Sequence, residues 1–220
     1  MKKAVILLSG GLDSATTLYL ARKQGYQCFC LIFDYGQRHR KEIEAARQLA
    51  KSLNCSYQIL EIKLPWKGSA LLDKKMRIPV SVKVSRCQSA AGIPSTYVPG
   101  RNIIFLSFAL SYAEAIQAED IFIGAHSHDY SGYPDCRAEF YRAFSQVIAK
   151  GTKSGVENKR ISIKTPLIHK AKAQIIKLGR CLGVPFALTW SCYQGGRVPC
   201  GECDSCYYRA KGFKEAKIKD

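Results

Sequence analysis

An apolar run that breaks straight into a glycine turn constrains this chain more than any other feature. Ala4-Val5-Ile6-Leu7-Leu8 reads as a strand buried on both faces, and Ser9-Gly10-Gly11-Leu12-Asp13-Ser14 follows at once. Ala15–Lys23 then reads as a helix stopped by Gly25. Cys28–Phe33 repeats the buried-strand pattern, Lys41–Leu53 has helical periodicity, and Tyr57–Ile62 is a third strand. Strand–helix–strand–helix–strand predicts an α/β fold: a parallel sheet with flanking helices and right-handed crossovers. A length of 220 residues is enough for one such domain with a real core and a small appendage.

Further along, Leu64–Pro99 holds four prolines and little periodicity, which predicts an irregular or mobile segment over the sheet edge, a candidate lid. Ile103–Gln117 reads as a strongly apolar central helix, Ile121–Gly124 as a fourth strand, and Pro134–Lys150 as containing another helix. Ile161–Lys164 is a short fifth strand and Lys170–Leu182 a helix closing at Gly183. Trp190–Lys211 is rich in Cys and Gly and has no core of its own. Two parts are therefore expected: residues 1–189 as the α/β domain and 190–220 as a metal-binding segment packed on it.

The early apolar run is too short for a signal peptide, and no run approaches bilayer length, so a soluble cytoplasmic protein without a membrane partner is expected. Ten cysteines in such a chain argue for metal binding over disulfides. The formal charge of +17 suits an enzyme handling nucleotides, pyrophosphate or an acidic substrate. It equally suits RNA binding or a merely solvated basic surface. No aromatic-and-basic module of the RNA-reading kind is visible, so nucleic acid is not required.

Adjacent glycines permit positive φ and let an anion approach the backbone, while the following helix N-terminus offers free N–H groups. Ser9 and Ser14 add hydroxyl donors. Asp13 cannot bind phosphate directly and is assigned to Mg²⁺ or to the turn itself. A bare Gly-Gly pair would be an ordinary capped turn. The full string instead resembles S-G-G-x-D-S, the signature of PP-loop ATP pyrophosphatases; no Walker motif occurs. That resemblance implies an ATP-binding stretch of Leu8, Ser9, Gly10, Gly11, Leu12, Asp13, Ser14, Ala15, Thr16, Thr17 and Leu18, with Mg²⁺ accompanying ATP.

Cys192, Cys200, Cys203 and Cys206 have the spacing C-x₇-C-x₂-C-x₂-C. Four thiolates in so short a span suit one closed, structural Zn²⁺ site per chain; an iron–sulfur cluster is the alternative. Cys28, Cys30, Cys55, Cys87, Cys136 and Cys181 have no ligand spacing, and most of them read as small buried hydrophobes.

Three polar strings complete the pattern. Asp34-Tyr35-Gly36-Gln37-Arg38-His39 follows the second strand, Ser95–Asn102 precedes the apolar helix, and Asp129–Arg137 follows the fourth strand. All three fall at the carboxyl end of the sheet, where open α/β sheets bind ligands. The strings S-G-G-x-D-S, F-D-Y-G-Q-R-H, V-P-G-R-N, D-Y-S-G-Y-P-D-C-R, L-T-W-S-C-Y and P-C-G-x-C-D-S-C occur in order. Together they closely resemble the QueC family of queuosine and deazapurine biosynthesis, from Val5 to about Glu215, with only 64–95 unaligned.

The resemblance implies a homodimeric ligase that converts 7-carboxy-7-deazaguanine, ATP and ammonia to the nitrile through adenylated intermediates. It assigns catalysis to Asp13, Ser14, Arg101 and Lys172. It assigns substrate binding to Asp34, Gln37, Arg38, Arg101, Asn102, Asp129, Tyr130, Asp135 and Arg137, with Asp135 accepting from the guanine-like N1–H and 2-amino group. His126 and His128 stand where family members often carry an acidic residue, and Gln174 where Glu is common. Those departures and the +17 charge leave one rival, a sibling that ligates a deazaguanine to another amine; a PP-loop enzyme acting on tRNA explains the C-terminal cysteines and the Y-P-D-C-R string less well. A basic, cysteine-knuckled nucleic-acid-binding module is a third.

Overall fold

A computed structural model describes residues 1–80, 93–126 and 132–220. Its centre is a five-stranded, wholly parallel sheet in the order β3-β2-β1-β4-β5. The strands are β1 (Lys3–Leu7), β2 (Gln27–Asp34), β3 (Ser56–Glu61), β4 (Asp120–Ile123) and β5 (Ser162–Lys164). The chain moves outward from β1 to β3 and then crosses back to place β4 beside β1. That reversal splays the connections leaving β1 and β4 and opens a crevice at their carboxyl ends.

Alternation along β1 divides the interior in two. Ala4, Ile6 and Leu8 face one layer, and Val5 and Leu7 the other. The first layer takes the helices α1 (Leu12–Lys23), α2 (Lys41–Ser52), α6 (Lys172–Cys181) and α7 (Asp204–Ala216). In α1, Leu12, Ala15, Leu18 and Ala21 recur at helical spacing and are fully enclosed. The second layer takes α3 (Arg101–Ala115) and α4 (Ala138–Gly151), through residues such as Leu106, Ala109, Phe144 and Ile148. A one-turn helix, α5 (Lys153–Val156), precedes β5.

The segment from Trp190 ends in α7, which packs on α6 and sends Phe213 and Ala216 into the first layer. Two expectations change. The α3 helix is strongly apolar from Ile103 to Leu110 yet not central, since Ile103 (48%) and Phe108 (42%) remain exposed. The described part of 64–80 is tied down. Ala70 N–H donates to Ser95 at 2.7 Å, Arg38 N–H donates to Leu71 at 3.1 Å, and Val80 bridges Cys203. Cys87, and any lid formed by 81–92, lie outside the described residues.

Candidate active site

The turn after β1 is built around Gly10, at φ +84°. A Cβ there would run into the backbone of Glu42 and Ala46 in α2, so a side chain fails on both conformation and space. The turn is closed by short polar links. Gly11 N–H donates to Ser9 Oγ (3.3 Å), Ser9 Oγ to Ser14 Oγ (3.1 Å), and Ser14 Oγ to the Gly11 carbonyl (3.0 Å). Helix α1 begins at Gly11 with no side-chain cap, which leaves its first-turn N–H groups for an anion.

Beside this turn stands a triad of polar side chains. Lys172 Nζ, from the first residue of α6, donates to both Asp13 oxygens at 2.9 and 2.8 Å and lies 3.0 Å from His126 Nε2. His126 Nε2 is 3.4 Å from Asp13 Oδ2. Burial would raise the Asp13 carboxyl, but the charges of Lys172 and then His126 outweigh it and hold it well below the carboxylate range. Gly124 lets β4 approach: a Cβ there would lie 2.9 Å from the Asp13 and Ser14 backbone.

A cavity of about 330 Å³ runs from this turn across the crevice. Arg101, Asn102 and Phe105 of α3 line it, with Tyr35 at the end of β2 and Tyr133 opposite. Arg101 Nη1 donates to Tyr35 Oη at 3.3 Å and has no ion pair among the described residues. A guanidinium so placed suits a planar anion. Cys136 also lines the cavity; burial pushes its thiol up to about 11, so it is no nucleophile at neutral pH.

The structure separates the expected residues into two groups. Leu8, Ser9, Gly11, Leu12, Asp13, Ser14, Arg101, Asn102 and Lys172 line the cavity. Ala15, Thr16, Thr17 and Leu18 are buried behind it, where Thr16 and Thr17 bond the carbonyls of Leu12 and Asp13. Asp34 is paired with Arg40; Gln37 bonds Tyr35 N–H, the Phe33 carbonyl and Glu42. Arg38 holds the carbonyls of Asp73 and Met76. Asp135 accepts the Asn102 N–H at 3.1 Å and so caps α3, and Arg137 opens α4. These five shape the walls from outside the cavity surface. Asp129, Tyr130 and His128 lie outside the described residues.

The sequence reading missed His126 as a partner of Asp13, and it missed the contribution of the C-terminal segment. Trp190, Ser191 and Tyr193 line the cavity, as do Asp204, Ser205 and Tyr208. Trp190 N–H donates to the Gly10 carbonyl at 2.9 Å, which joins the two parts directly. Gln174, by contrast, does what Glu would do at that place, its Oε1 accepting the Ala171 N–H at 2.9 Å.

The thiols of Cys192, Cys200, Cys203 and Cys206 all lie within 4.8 Å of one another, and so could hold a metal ion. Cys200 and Cys206 are 3.9 Å apart, close to the ~3.8 Å edge of a tetrahedron with ~2.3 Å metal–sulfur bonds. N–H groups of Glu202 and Cys203 donate to Cys200 Sγ, and that of Cys200 to Cys192 Sγ, as thiolates require. Ala70, Ile78 and Trp190 pack around the group.

Comparison with known proteins places this geometry. Residues 3–217 match the family model described as queuosine biosynthesis protein QueC. The chain is 52% identical to the 7-cyano-7-deazaguanine synthase of Acetivibrio thermocellus, over 100% of this chain and 96% of that one. It is 51% identical to the same-named protein of Trichormus variabilis, over 99% and 96%. Among solved structures, NMN synthetase from Francisella tularensis superposes with a TM-score of 0.51 at 19% identity, over 100% of this chain and 78% of that one, which shows the shared fold. On a family match that spans nearly its whole length and on relatives about half identical to it, the chain belongs to the QueC family of queuosine biosynthesis proteins.

Proposed function

We propose that this chain is an ATP-dependent, C–N bond-forming ligase that converts 7-carboxy-7-deazaguanine and ammonia to 7-cyano-7-deazaguanine. The observation that carries this reading is one continuous cavity. It joins the uncapped turn at Ser9–Ser14, with ionised Asp13 beside Lys172, to the unpaired-by-carboxylate Arg101 on the far wall. Relatives over 50% identical along the full length bear that enzyme's name.

The chemistry explains the layout. A carboxylate resists amines because its leaving group would be oxide. Attack of the carboxylate on the α-phosphorus of ATP releases pyrophosphate and makes AMP the leaving group. Ammonia then displaces AMP and gives the amide. A second ATP activates the amide oxygen in the same way, and loss of AMP with a proton leaves the nitrile. Each round develops negative charge on the departing pyrophosphate, which first-turn N–H groups and Lys172 would stabilise. Arg101 is assigned to the substrate carboxylate or the α-phosphate.

Mg²⁺ fits Asp13, whose carboxylate is ionised and a quarter exposed at the mouth of the turn. It would neutralise phosphate charge there, with Lys172 released toward the phosphates. Zn²⁺ fits the four thiols as a closed structural site. Exposed Ile103, Phe108 and Val147 on α3 and α4 support a homodimer. Among the described residues no helix is long and apolar enough to cross a membrane, and cysteines grouped to hold a metal suit a cytoplasmic setting.

Mass spectrometry of one reaction tests the reading. Protein is mixed with 7-carboxy-7-deazaguanine, Mg·ATP and ammonium, beside an Asp13→Ala control. Nitrile with AMP, absent from the control, is the expected result. An amide or adenylate without nitrile, or mass added to a protein amine, would favour the conjugating sibling.

A further inference from the structure

We infer that His39, held by Glu42, is the base that takes a proton from ammonium beside the activated carboxyl carbon. The inference rests on the proposed reaction and deepens it by naming a catalytic residue for its amine step. Ammonium dominates over ammonia at neutral pH and carries no lone pair. One proton must leave before the nitrogen can attack, so the step calls for an acceptor at the cavity.

His39 is 2% exposed and lines the cavity together with Glu42. Its Nε2 lies 3.1 Å from Glu42 Oε2, while Glu42 Oε1 accepts from Gln37 Nε2 at 3.0 Å. The carboxylate on the ring fixes a proton at Nε2, which makes the other nitrogen of the neutral imidazole an acceptor. That nitrogen, Nδ1, is enclosed and has no hydrogen-bond partner among the described residues. A buried acceptor is costly to leave unpaired, and a donor the size of water satisfies it. Carboxylate, imidazole and open acceptor follow one another as in a general base whose carboxylate sets the tautomer and the ring direction.

The pair stands where the amine is needed. Glu42 lies in the first turn of α2, and its backbone carbonyl packs on the phosphate turn, since a Cβ on Gly10 would lie 2.1 Å from it. On its other side is Tyr35. Burial raises the Tyr35 hydroxyl to about 12, with the charge of Arg101 opposing and that of Glu42 adding to the rise. The same hydroxyl accepts from Arg101 Nη1 at 3.3 Å. An adenylated carboxyl carbon joins phosphate to substrate, and so falls between the turn and Arg101. Tyr193 tilts against the His39 ring, with centroids 5.5 Å apart, and with Tyr35 supplies aromatic faces that attract a small cation.

In this step ammonium gives one proton to Nδ1, and the freed lone pair forms the C–N bond. The acyl C–O bond breaks, and AMP leaves with its electron pair and takes the second proton that the nitrogen sheds. The proton on Nδ1 passes to solvent when the product departs.

The test measures three reactions in the wild type and in His39→Gln. They are carboxylate-dependent exchange of pyrophosphate into ATP, product formation from ammonium, and hydroxamate formation from hydroxylamine. Exchange needs no amine, and hydroxylamine is an uncharged nucleophile at neutral pH that needs no proton removed before it attacks. In the variant, product from ammonium is expected to fall about a hundredfold or more. Exchange and hydroxamate formation should each change by less than about threefold. Glu42→Gln keeps the shape and removes the charge; it should lose about tenfold with ammonium alone, and it carries the test where His39→Gln does not fold. Undiminished product from ammonium, or all three reactions falling together in a folded variant, overturns the inference while leaving the substrate assignment standing. A wild type that makes no nitrile from the carboxy compound removes the reading beneath it.

Discussion

Gly124→Ala isolates the fit between β4 and the phosphate turn. The Gly124 backbone is not in the left-handed region, so alanine meets no conformational penalty and gains about 0.4–1 kcal/mol from a stiffer unfolded chain. Its Cβ, however, would sit 2.9 Å from Asp13 C, Asp13 O and Ser14 N. All three are backbone atoms that no rotamer change can move. Ordinary contact requires the turn to retreat by about 0.5 Å, and overpacking of this kind costs about 1–3 kcal/mol. The net loss is about 1–2 kcal/mol, a fall of about 2–8 °C in melting temperature for a chain of this size. The retreat displaces Asp13 and the first-turn N–H groups together. Displacements approaching 1 Å cost about a hundredfold, so about tenfold in kcat/KM for ATP is expected here. Steady-state AMP release, with thermal unfolding on the same sample, measures both. Gly151→Ala, with nothing within 4 Å, is the control: it should keep wild-type ATP kinetics and melt no lower than the wild type. Wild-type ATP kinetics in Gly124→Ala would refute the claim that this close approach sets the turn.

Lys172→Met removes the first opposing charge from Asp13 and should cut turnover about a hundredfold or more. The same change has a pH signature. A depressed carboxyl contributes above its unfolded value and loses that contribution as pH falls through the folded one. Raising the Asp13 pKa therefore moves the acid limb of the kcat/KM profile upward; an unmoved limb contradicts the pairing. Arg101→Lys keeps the charge but loses the fork, and should lower kcat/KM for the carboxy substrate about tenfold or more with ATP affinity little changed, read from substrate-varied kinetics. Chelation, or Cys203→Ser, should remove about one zinc per chain by elemental analysis and abolish substrate turnover as the first turn of α7 loosens.

The sheet and the phosphate turn were legible because each depends on local pattern. Buried strands announce themselves as apolar runs, and Gly10-Gly11 between strand and helix allows few alternatives. The four thiols were legible from spacing. Helix α7 was not: Cys203 and Cys206 sit at its start, and its buried residues are only Cys206, Gly212, Phe213 and Ala216, too few to mark an apolar stripe. The anchoring of 64–80 was hidden because it rests on Arg38 reaching carbonyls 35 and 38 residues away. The roles of Gln37, Arg38 and Asp135 escaped for a related reason. A polar residue in a motif string announces importance, not whether it touches ligand or holds the wall that does. His126 was visible only as a departure from the family, since its partners come from α1 and α6.

The Trp190–Gly10 hydrogen bond gives the molecule an order of events during synthesis. All five strands and the glycine turn leave the ribosome before Cys192 does. A nascent chain can therefore assemble its sheet and α1 while the wall carrying Trp190, Tyr193 and Asp204 is still missing. The wall can dock against the turn only after the last thiols have emerged, and a metal held by them would fix it there. With zinc in the four thiols as proposed, metal supply would act as a checkpoint on maturation, since a metal-starved chain is expected to lack the wall that completes the cavity.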